Sequence, residues 1–262
     1  MFSLTVYWHS LFIVIAAALV TWLLSLYKHD VSIVDSLWAL MFVMIAYYTA
    51  MATDHWGARS VLALVLVSLW GLRLAIYITW RNWGHDEDHR YQAIRARNQP
   101  NFAFKSLYLI FCLQAVLAWL ISLPLHAAIV GDGAVGVLDG VGALLWLIGF
   151  AFEAGGDWQL ARFKANPENR GKVMDRGFWR YTRHPNYFGD FAVWWGLYLI
   201  AASAGGWWSC VGPVLMSVLL MRVSGVTLLE KDIGERRPQY AQYIKRTNAF
   251  FPGIPKGRRE IP

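Results

Sequence analysis

Seven long apolar stretches limit what this chain can fold into more than any other feature. Each is close to the about 20 residues that a helix needs to cross the hydrocarbon core of a bilayer. They are apolar on nearly all sides, whereas the strands of a membrane barrel alternate in polarity. We therefore predict an all-α integral membrane bundle of seven transmembrane helices, at residues 11–26, 32–51, 60–80, 105–123, 135–160, 187–202 and 207–223.

The composition agrees with a membrane environment. Hydrophobic residues make up 57% of the chain and charged residues only 16%, a balance that soluble domains do not show. No basic region and no small-residue cleavage site accompany the first apolar stretch, so we interpret it as a retained helix. Cys112 and Cys210 both lie inside apolar stretches and are interpreted as buried thiols.

The positions of the basic residues predict the topology. Of the 24 Lys and Arg residues, 22 follow the first, third, fifth or seventh predicted span. The positive-inside rule then places the N-terminus outside and the C-terminus in the cytoplasm. We expect the cytoplasmic membrane of a bacterium, or the endoplasmic reticulum if the host is eukaryotic. A surplus of cytoplasmic cations is ordinary for a membrane protein and indicates no nucleic acid.

Ionisable side chains lie inside or at the mouth of the predicted spans, where each costs roughly 2.5 to 3.5 kcal/mol on insertion. They are Asp35, Arg73, Glu153, Asp157 and Asp190. Groups of this kind face the interior of a bundle, and we interpret them as part of a ligand site on the side of the long 81–104 and 162–185 connections. A structural role is the alternative, since a buried pair such as Arg73 with Asp35 would hold helices in register.

The sharpest local motif is RGFWRYTRHPNYFGD at residues 176–190. Pro185 and Asn186 suit the first turn of a helix, whose free N–H groups favour an anion. Tyr181 and Tyr187 are suited to contact a base or a ribose. Phosphate is the anion expected from the cations in and near this motif, which are Lys164, Arg170, Lys172 and Arg183.

Two other motifs are interpreted as non-functional. A literal G-x-G-x-x-G occurs at residues 131–136, but no predicted strand precedes it and it lies in an outside connection, so we do not expect dinucleotide binding there. The HDEDH cluster at residues 85–89 offers metal-ligand side chains without a second cluster to complete a site. We predict no metal.

Four segments resemble the steroid 5-alpha-reductase family, most closely its bacterial members: residues 31–38, 179–190, 224–230 and 240–252. The resemblance covers most of the chain and is more specific in its C-terminal half. It implies one membrane domain, with residues 1–104 on the substrate side and residues 105–262 as the cofactor half. It also implies NADPH-dependent reduction of the 4,5 double bond of a 3-oxo-Δ4 steroid such as testosterone or progesterone.

The same resemblance implies a role for individual residues. Asp35 and Trp70 are the implied catalytic residues; Asp35 is shorter than the glutamate of animal members, and Trp70 stands where they have a tyrosine donor. An indole can donate a hydrogen bond but cannot release a proton. The implied cofactor contacts are Arg73, Asp157, Lys164, Arg170, Lys172, Tyr181, Arg183, His184, Asn186, Asp190, Glu230, Tyr240 and Tyr243.

The chemistry of the implied reaction agrees with a carboxyl group in the site. Hydride delivered to the β-carbon of an enone builds negative charge on the carbonyl oxygen, which a hydrogen-bond donor must meet. A carboxylic acid in an apolar site can stay protonated near neutrality and act as that donor. We identify Asp35 as the candidate.

Other classes stay open at this point. A sterol reductase acting on a Δ14 or Δ7 double bond is one, and a membrane methyltransferase of the isoprenylcysteine type is another, although its S-adenosylmethionine has no phosphate for the basic cluster. A transporter would show discontinuous spans in two related halves, which are not evident. We expect a monomer whose partners are the steroid and membrane lipid.

Overall fold

The computed structural model describes residues 2–223 and 238–255. In this part of the chain every element is helical, and the β contact is an isolated bridge between Thr182 and Asn248. In chain order the helices are α1 (Leu4–Lys28), α2 (Val34–Thr53), α3 (Ala58–Asn82), α4 (His89–Arg97), α5 (Phe102–Ile121), α6 (Leu123–Ile129), α7 (Val137–Ala165), α8 (Pro185–Ser203), α9 (Trp207–Val223) and α10 (Pro238–Arg246).

Five of the described helices are long and apolar enough to cross a membrane: α1, α2 with the turn before it, α3, α5 and α7. The all-helical membrane prediction is therefore confirmed. Helices α8 and α9 occupy the sixth and seventh predicted positions, but α9 combines a 3-10 turn, a short α-helix and a π-helical turn. The count of seven spans and the orientation of the termini stay predictions.

Two short helices lie where the sequence predicted connections or a single span. Helix α4 has nine residues and a polar sequence, so it carried no apolar signal. Helix α6 follows α5 directly and is separated from it at Ser122, with Pro124 in its first turn. Proline fits the start of a helix because its missing N–H has no partner there.

The chain divides into two compact units. The first comprises Met1–Gly140 and Leu197–Gly212, and the second Val141–Gly196 and Pro213–Pro262. The division at residue 104 into a substrate side and a cofactor half concerns function and stays a prediction.

In the first unit, small residues let α2 and α3 approach closely. A Cβ atom placed on Gly71 would lie 2.7 Å from the side chain of Val43 and 3.0 Å from the carbonyl oxygen of Ala39. The neighbouring Trp70 is fully buried, with its ring 5.7 Å from that of Phe42. Packing of this kind replaces the hydrophobic effect as the force between helices in lipid.

A buried ion pair organises the 131–136 connection of the first unit. Arg59, in the first turn of α3, donates to Asp139 at 2.8 Å and to the carbonyl oxygens of Asp132 and Ala134 at 2.8 and 2.7 Å. Asp139 also accepts from the N–H of Gly136 and the hydroxyl of Ser203. The glycine motif of the sequence thus wraps around an arginine side chain.

The second unit contains a seam of glycines at seven-residue spacing. Gly142, Gly149 and Gly156 lie on α7, and Gly189 and Gly196 on α8. A Cβ placed on Gly149 would lie 2.6 Å from the carbonyl oxygen of Gly189, and one on Gly196 would lie 2.6 Å from that of Gly142. The two helix backbones are therefore in contact. This contact fixes the start of α8 against the part of α7 that carries the acidic residues.

We expect Gly149→Ala to destabilise the protein, because the added methyl group meets backbone atoms of α8 that cannot move aside. Overpacking of a close-packed site costs about 1–3 kcal/mol. The matched control is Gly140→Ala on the same helix, where a Cβ has no neighbour within 4 Å. Thermal unfolding in detergent measures both variants. An equal melting temperature for the two would contradict the glycine seam.

Candidate functional site

The predicted catalytic residue Asp35 lies in the first turn of α2. The chain enters this helix through a 3-10 turn, Val31–Ile33, which Asp30 caps by accepting the N–H of Ser32 at 2.8 Å. This turn directs Asp35 towards α4, and its side chain is 16% exposed.

Asp35 is held by two residues of α4. Arg90 donates to its Oδ2 atom at 2.8 Å, and the hydroxyl of Tyr91 donates to Oδ1. Gln114, on α5, donates to the Tyr91 oxygen at 3.2 Å. We refer to Asp35, Arg90, Tyr91 and Gln114 as the Asp35 cluster. Asp35 thus pairs with Arg90 and not with Arg73, the partner that the sequence suggested.

Tyr91 is the hydroxyl donor of this cluster. It is 7% exposed, and burial, together with the negative charge and hydrogen bond of Asp35, raises the pKa of its phenol well above the ordinary value. The phenol therefore keeps its proton at neutral pH. Tyr91 was missed from the sequence because it lies in a polar connection. The signal was the helix start Asp88-His89-Arg90, with an N-capping residue three positions before the tyrosine.

Two further residues of the predicted site, Trp70 and Arg73, lie on α3 of the first unit. Trp70 is fully buried against Phe42, as described above, so its indole serves the packing of α2 and α3. Arg73 lies one turn further along the same helix and is partly buried.

Glu87 and Asp88 fasten the 84–97 segment to the first unit. The carboxylate of Glu87 accepts from the N–H of Val31 at 2.9 Å and from Arg95 through two nitrogens at 2.7 and 2.8 Å. Asp88 caps α4 by accepting the N–H of Arg90 at 2.9 Å. Two acids of the HDEDH cluster are therefore engaged in holding α4 over the start of α2. Among the described residues, no group of three or more potential ligands is arranged around a metal position.

This fastening is expected to weaken in acid. Burial alone would raise the pKa of Glu87, but the hydrogen bonds from Arg95 and Val31 and the charge of Arg95 lower it below its ordinary value of 4.5. A lowered pKa means that the contribution to stability is complete above 4.5 and is lost as the pH falls through the folded-state value.

The measurement is the mobility of a spin label at Ala93→Cys, an exposed position of α4, in a protein lacking Cys112 and Cys210. The label should become mobile on acidification, and already at neutral pH in Glu87→Gln. A label on Gln242 of α10 is the control. Equal mobility in wild type and Glu87→Gln at pH 7 would show that Glu87 does not hold α4.

A basic cavity lies in the second unit, where α7 ends. Its volume is about 420 Å³, and Lys164, Arg170 and Lys172 line it together with Leu160, Phe163 and Met174. The sequence had assigned all three cations to the cofactor, and the structure brings them to one cavity. The volume lies within the range of small-molecule sites.

Local hydrogen bonds shape the wall of this cavity. Asn166 caps the 3-10 turn Pro167–Asn169 by accepting the N–H of Glu168 at 3.0 Å. Asn169 donates to the carbonyl oxygen of Phe163 at 2.9 Å, near the C-terminal end of α7. Gly171 then reverses the chain with a φ of +83°, a conformation that side chains disfavour. The turn carries Arg170 and Lys172 back beside Lys164.

Arg183 and Tyr243 join α10 to the segment before α8. Arg183 is 7% exposed and donates to the carbonyl oxygen of Ile244 at 3.2 Å and to that of Thr247. A cation at these carbonyls also offsets the negative end of the helix dipole. Tyr243 is buried and donates to the carbonyl oxygen of Trp179, with Tyr240 5.4 Å away. The structure therefore uses these predicted cofactor residues at a helix junction.

The remaining predicted residues lie on α7 and near the start of α8. Helix α8 begins at Pro185, as the motif predicted, with Asn186 and Asp190 one turn apart. His184 is buried and stacks on Tyr187 with ring centroids 5.6 Å apart. On α7, Asp157 is 6% exposed and Glu153 is 3% exposed.

Tyr181 is exposed and lies in the segment just before α8. Glu230, which the resemblance also implied as a cofactor contact, lies outside the residues that the structure describes.

Comparison with known proteins identifies a family and a relative for this chain. It is 24% identical, over 90% of its length and 76% of the relative's, to an uncharacterised protein of the fission yeast Schizosaccharomyces pombe. No solved structure matches it. Residues 21–247 match the model of the family described as a protein of unknown function, DUF1295. Because this match covers most of the chain, the protein belongs to the DUF1295 family.

Proposed function

We propose that this protein is an NADPH-dependent reductase of the 4,5 double bond of 3-oxo-Δ4 steroids. The observation that carries the proposal is the hydrogen bond between Tyr91 and Asp35, which sets a protonated phenol beside a carboxylate in an apolar helical unit. The DUF1295 family includes membrane proteins that resemble steroid 5-alpha-reductases, which supports the same class.

The proposed reaction needs one hydride and one proton. A bound NADPH, with its 2′-phosphate held by Lys164, Arg170 and Lys172, would supply a hydride for C5. As the electrons of the double bond move towards the carbonyl, negative charge would develop on the 3-oxo oxygen of the steroid. The resulting enolate takes a proton at C4, and NADP⁺ and the saturated ketone are the products. The role of the protein is to aim a donor at the oxygen before the charge develops there.

In this proposal the donor is Tyr91 and not Asp35 itself. Asp35 accepts the hydrogen bond of the Tyr91 hydroxyl and is paired with Arg90, so we assign it the role of positioning the phenol. Gln114 holds the phenol from the other side by donating a hydrogen bond to the Tyr91 oxygen. Rotation of the hydroxyl from Asp35 to a bound carbonyl would then complete the contact. Trp70, the second residue that the resemblance implied as catalytic, packs against Phe42 and takes no part in the proposed proton donation.

The basic cavity supports a phosphorylated cofactor. Three cations on its wall suit the 2′-phosphate that distinguishes NADPH from NADH, and S-adenosylmethionine would give them no phosphate to bind. A membrane methyltransferase is the less favoured alternative for this reason. We keep the predicted topology, in which this cavity faces the cytoplasm and the steroid enters from the lipid.

The cofactor assignment predicts a preference for NADPH over NADH that single substitutions can remove. We expect Lys164→Ala, Arg170→Ala and Lys172→Ala each to raise the KM for NADPH by about tenfold while changing that for NADH little, because one charge-assisted contact is worth about 1.5–3 kcal/mol. Arg97→Ala, an exposed arginine elsewhere, is the control. Equal increases in the KM for NADPH and for NADH would show that the 2′-phosphate does not bind in this cavity.

The activity itself has a direct test. The detergent-purified protein is incubated with testosterone or progesterone and NADPH, and NADPH oxidation is followed together with the steroid product. We expect a 5-alpha-reduced ketone in equal amount to the NADP⁺ formed. Copurified S-adenosylmethionine, or reduction of a Δ14 or Δ7 sterol but of no 3-oxo-Δ4 steroid, would replace the proposal by one of its rivals.

A further inference from the structure

A second cavity lies at the end of α7 and is not used by the proposed reaction. Its volume is about 520 Å³, and its lining includes Trp158, Arg162, Phe163, Met174 and Arg176. Trp158 and Phe163 provide aromatic surface and the two arginines provide positive charge. No acidic residue is among the side chains that line it.

The position along α7 indicates the surroundings of this cavity. The helix has 29 residues and is therefore roughly 44 Å long, about the thickness of a bilayer with its headgroups. Its last turns then extend beyond the hydrocarbon core. Trp158 lies seven residues before the helix end and is 59% exposed. Tryptophan is enriched at this boundary between acyl chains and headgroups.

The charge follows directly after the aromatic residue. Arg162 lies one turn beyond Trp158, towards the helix end, and its guanidinium is 5.4 Å from the centre of the Trp158 ring. Arg176 approaches the same cavity from the segment before α8. Its chain neighbour Asp175 is paired with Arg246. We therefore expect Arg162 and Arg176 at headgroup level, next to the aromatic surface of the cavity.

We propose that this cavity binds the headgroup of an anionic phospholipid, with the phosphate between Arg162 and Arg176 and the upper part of an acyl chain against Trp158 and Phe163. A soluble phosphate would use the arginines and leave the aromatic surface exposed to water. An anionic lipid uses both, and arginine suits phosphate because its planar fork donates two parallel hydrogen bonds. The observations behind this lipid site do not depend on the proposed activity.

The test measures lipid binding directly. The protein is purified in mild detergent, mixed with phosphatidylcholine or with phosphatidylglycerol, and examined by native mass spectrometry and thermal unfolding. We expect wild type to retain phosphatidylglycerol selectively and to melt at a higher temperature with it. Arg162→Gln with Arg176→Gln should lower this retention by about tenfold, as expected on losing charge-assisted contacts to phosphate.

Matched controls decide the outcome. Arg97→Gln removes one exposed charge from another connection and should retain phosphatidylglycerol as wild type does. The melting temperature in phosphatidylcholine shows whether the double variant is folded, and the single Arg162→Gln variant replaces it if it is not. Equal retention by wild type and the cavity variants would overturn the proposal. Stabilisation by glycerol 3-phosphate or inorganic phosphate that equals that by the lipid, and that is lost in the Arg162→Gln with Arg176→Gln variant, would also overturn it, in favour of a soluble anion.

Discussion

Replacing Tyr91 by phenylalanine is expected to lower steroid turnover by about a hundredfold or more while leaving the fold intact. Loss of one donor to a developing oxyanion costs about 10²–10³ in rate. The substitution removes only the hydroxyl, so the ring continues to fill its buried position on α4. The measurement is kcat at saturating NADPH with progesterone, together with the melting temperature of each variant.

A control variant and two substitutions of Asp35 separate the roles of Asp35 and Tyr91. Tyr108→Phe removes the hydroxyl of an exposed tyrosine on α5 and should leave turnover unchanged. Asp35→Asn keeps an acceptor for the Tyr91 hydroxyl and should retain part of the activity, whereas Asp35→Ala should lose more. Because the pKa of Tyr91 is raised, deprotonation of the phenol should not reduce the rate at any pH below its ordinary value of 10. Near-normal turnover by a folded Tyr91→Phe protein would end the assignment of Tyr91 as the donor.

Replacing Arg59 by glutamine is expected to destabilise the protein by about 3–5 kcal/mol, the range found when one partner of a buried ion pair is removed. The side chains of Arg59 and Asp139 are 3% and 0% exposed, so the remaining carboxylate would stay buried. The carbonyl oxygens of Asp132 and Ala134 would also lose their donor. Thermal or denaturant unfolding in detergent measures the loss.

A double-mutant cycle shows whether Arg59 and Asp139 stabilise the protein through one shared interaction or independently of each other. Asp139→Asn alone should be destabilising too, and the double variant should cost clearly less than both single changes added together, because the residues share one interaction. Arg97→Gln is the control, and a surface charge of this kind changes stability by less than about 0.5 kcal/mol. Additive losses in the cycle would show that the ion pair does not organise the 131–136 connection.

The sequence predicted the helices well because lipid demands long apolar runs whatever the tertiary contacts are. It placed α8 at Pro185 and grouped Lys164, Arg170 and Lys172 correctly, since all three lie within nine residues of one another around a turn. It did not find Tyr91, whose partner Asp35 is 56 residues away in the chain.

A contact between residues so far apart in the chain depends on how the 84–97 segment folds back over the start of α2. No local sequence pattern predicts that path. Arg183 shows the same limit, because the carbonyl oxygens of Ile244 and Thr247 to which it donates lie 61 and 64 residues away in the chain. Gly149 and Gly189 are a different case. Their glycine partners at seven-residue spacing are visible in the sequence, but the spacing alone does not show which two helices it joins.

The two cavities at the end of α7 share four residues, Phe163, Asn166, Asn169 and Met174. The two proposed phosphate-binding surfaces therefore adjoin each other. By thermodynamic reciprocity, any effect of a bound lipid on cofactor affinity equals the effect of the cofactor on lipid affinity. If the two ligands are coupled through these shared residues, the affinity of the protein for its cofactor would depend on the proportion of anionic lipid in the membrane.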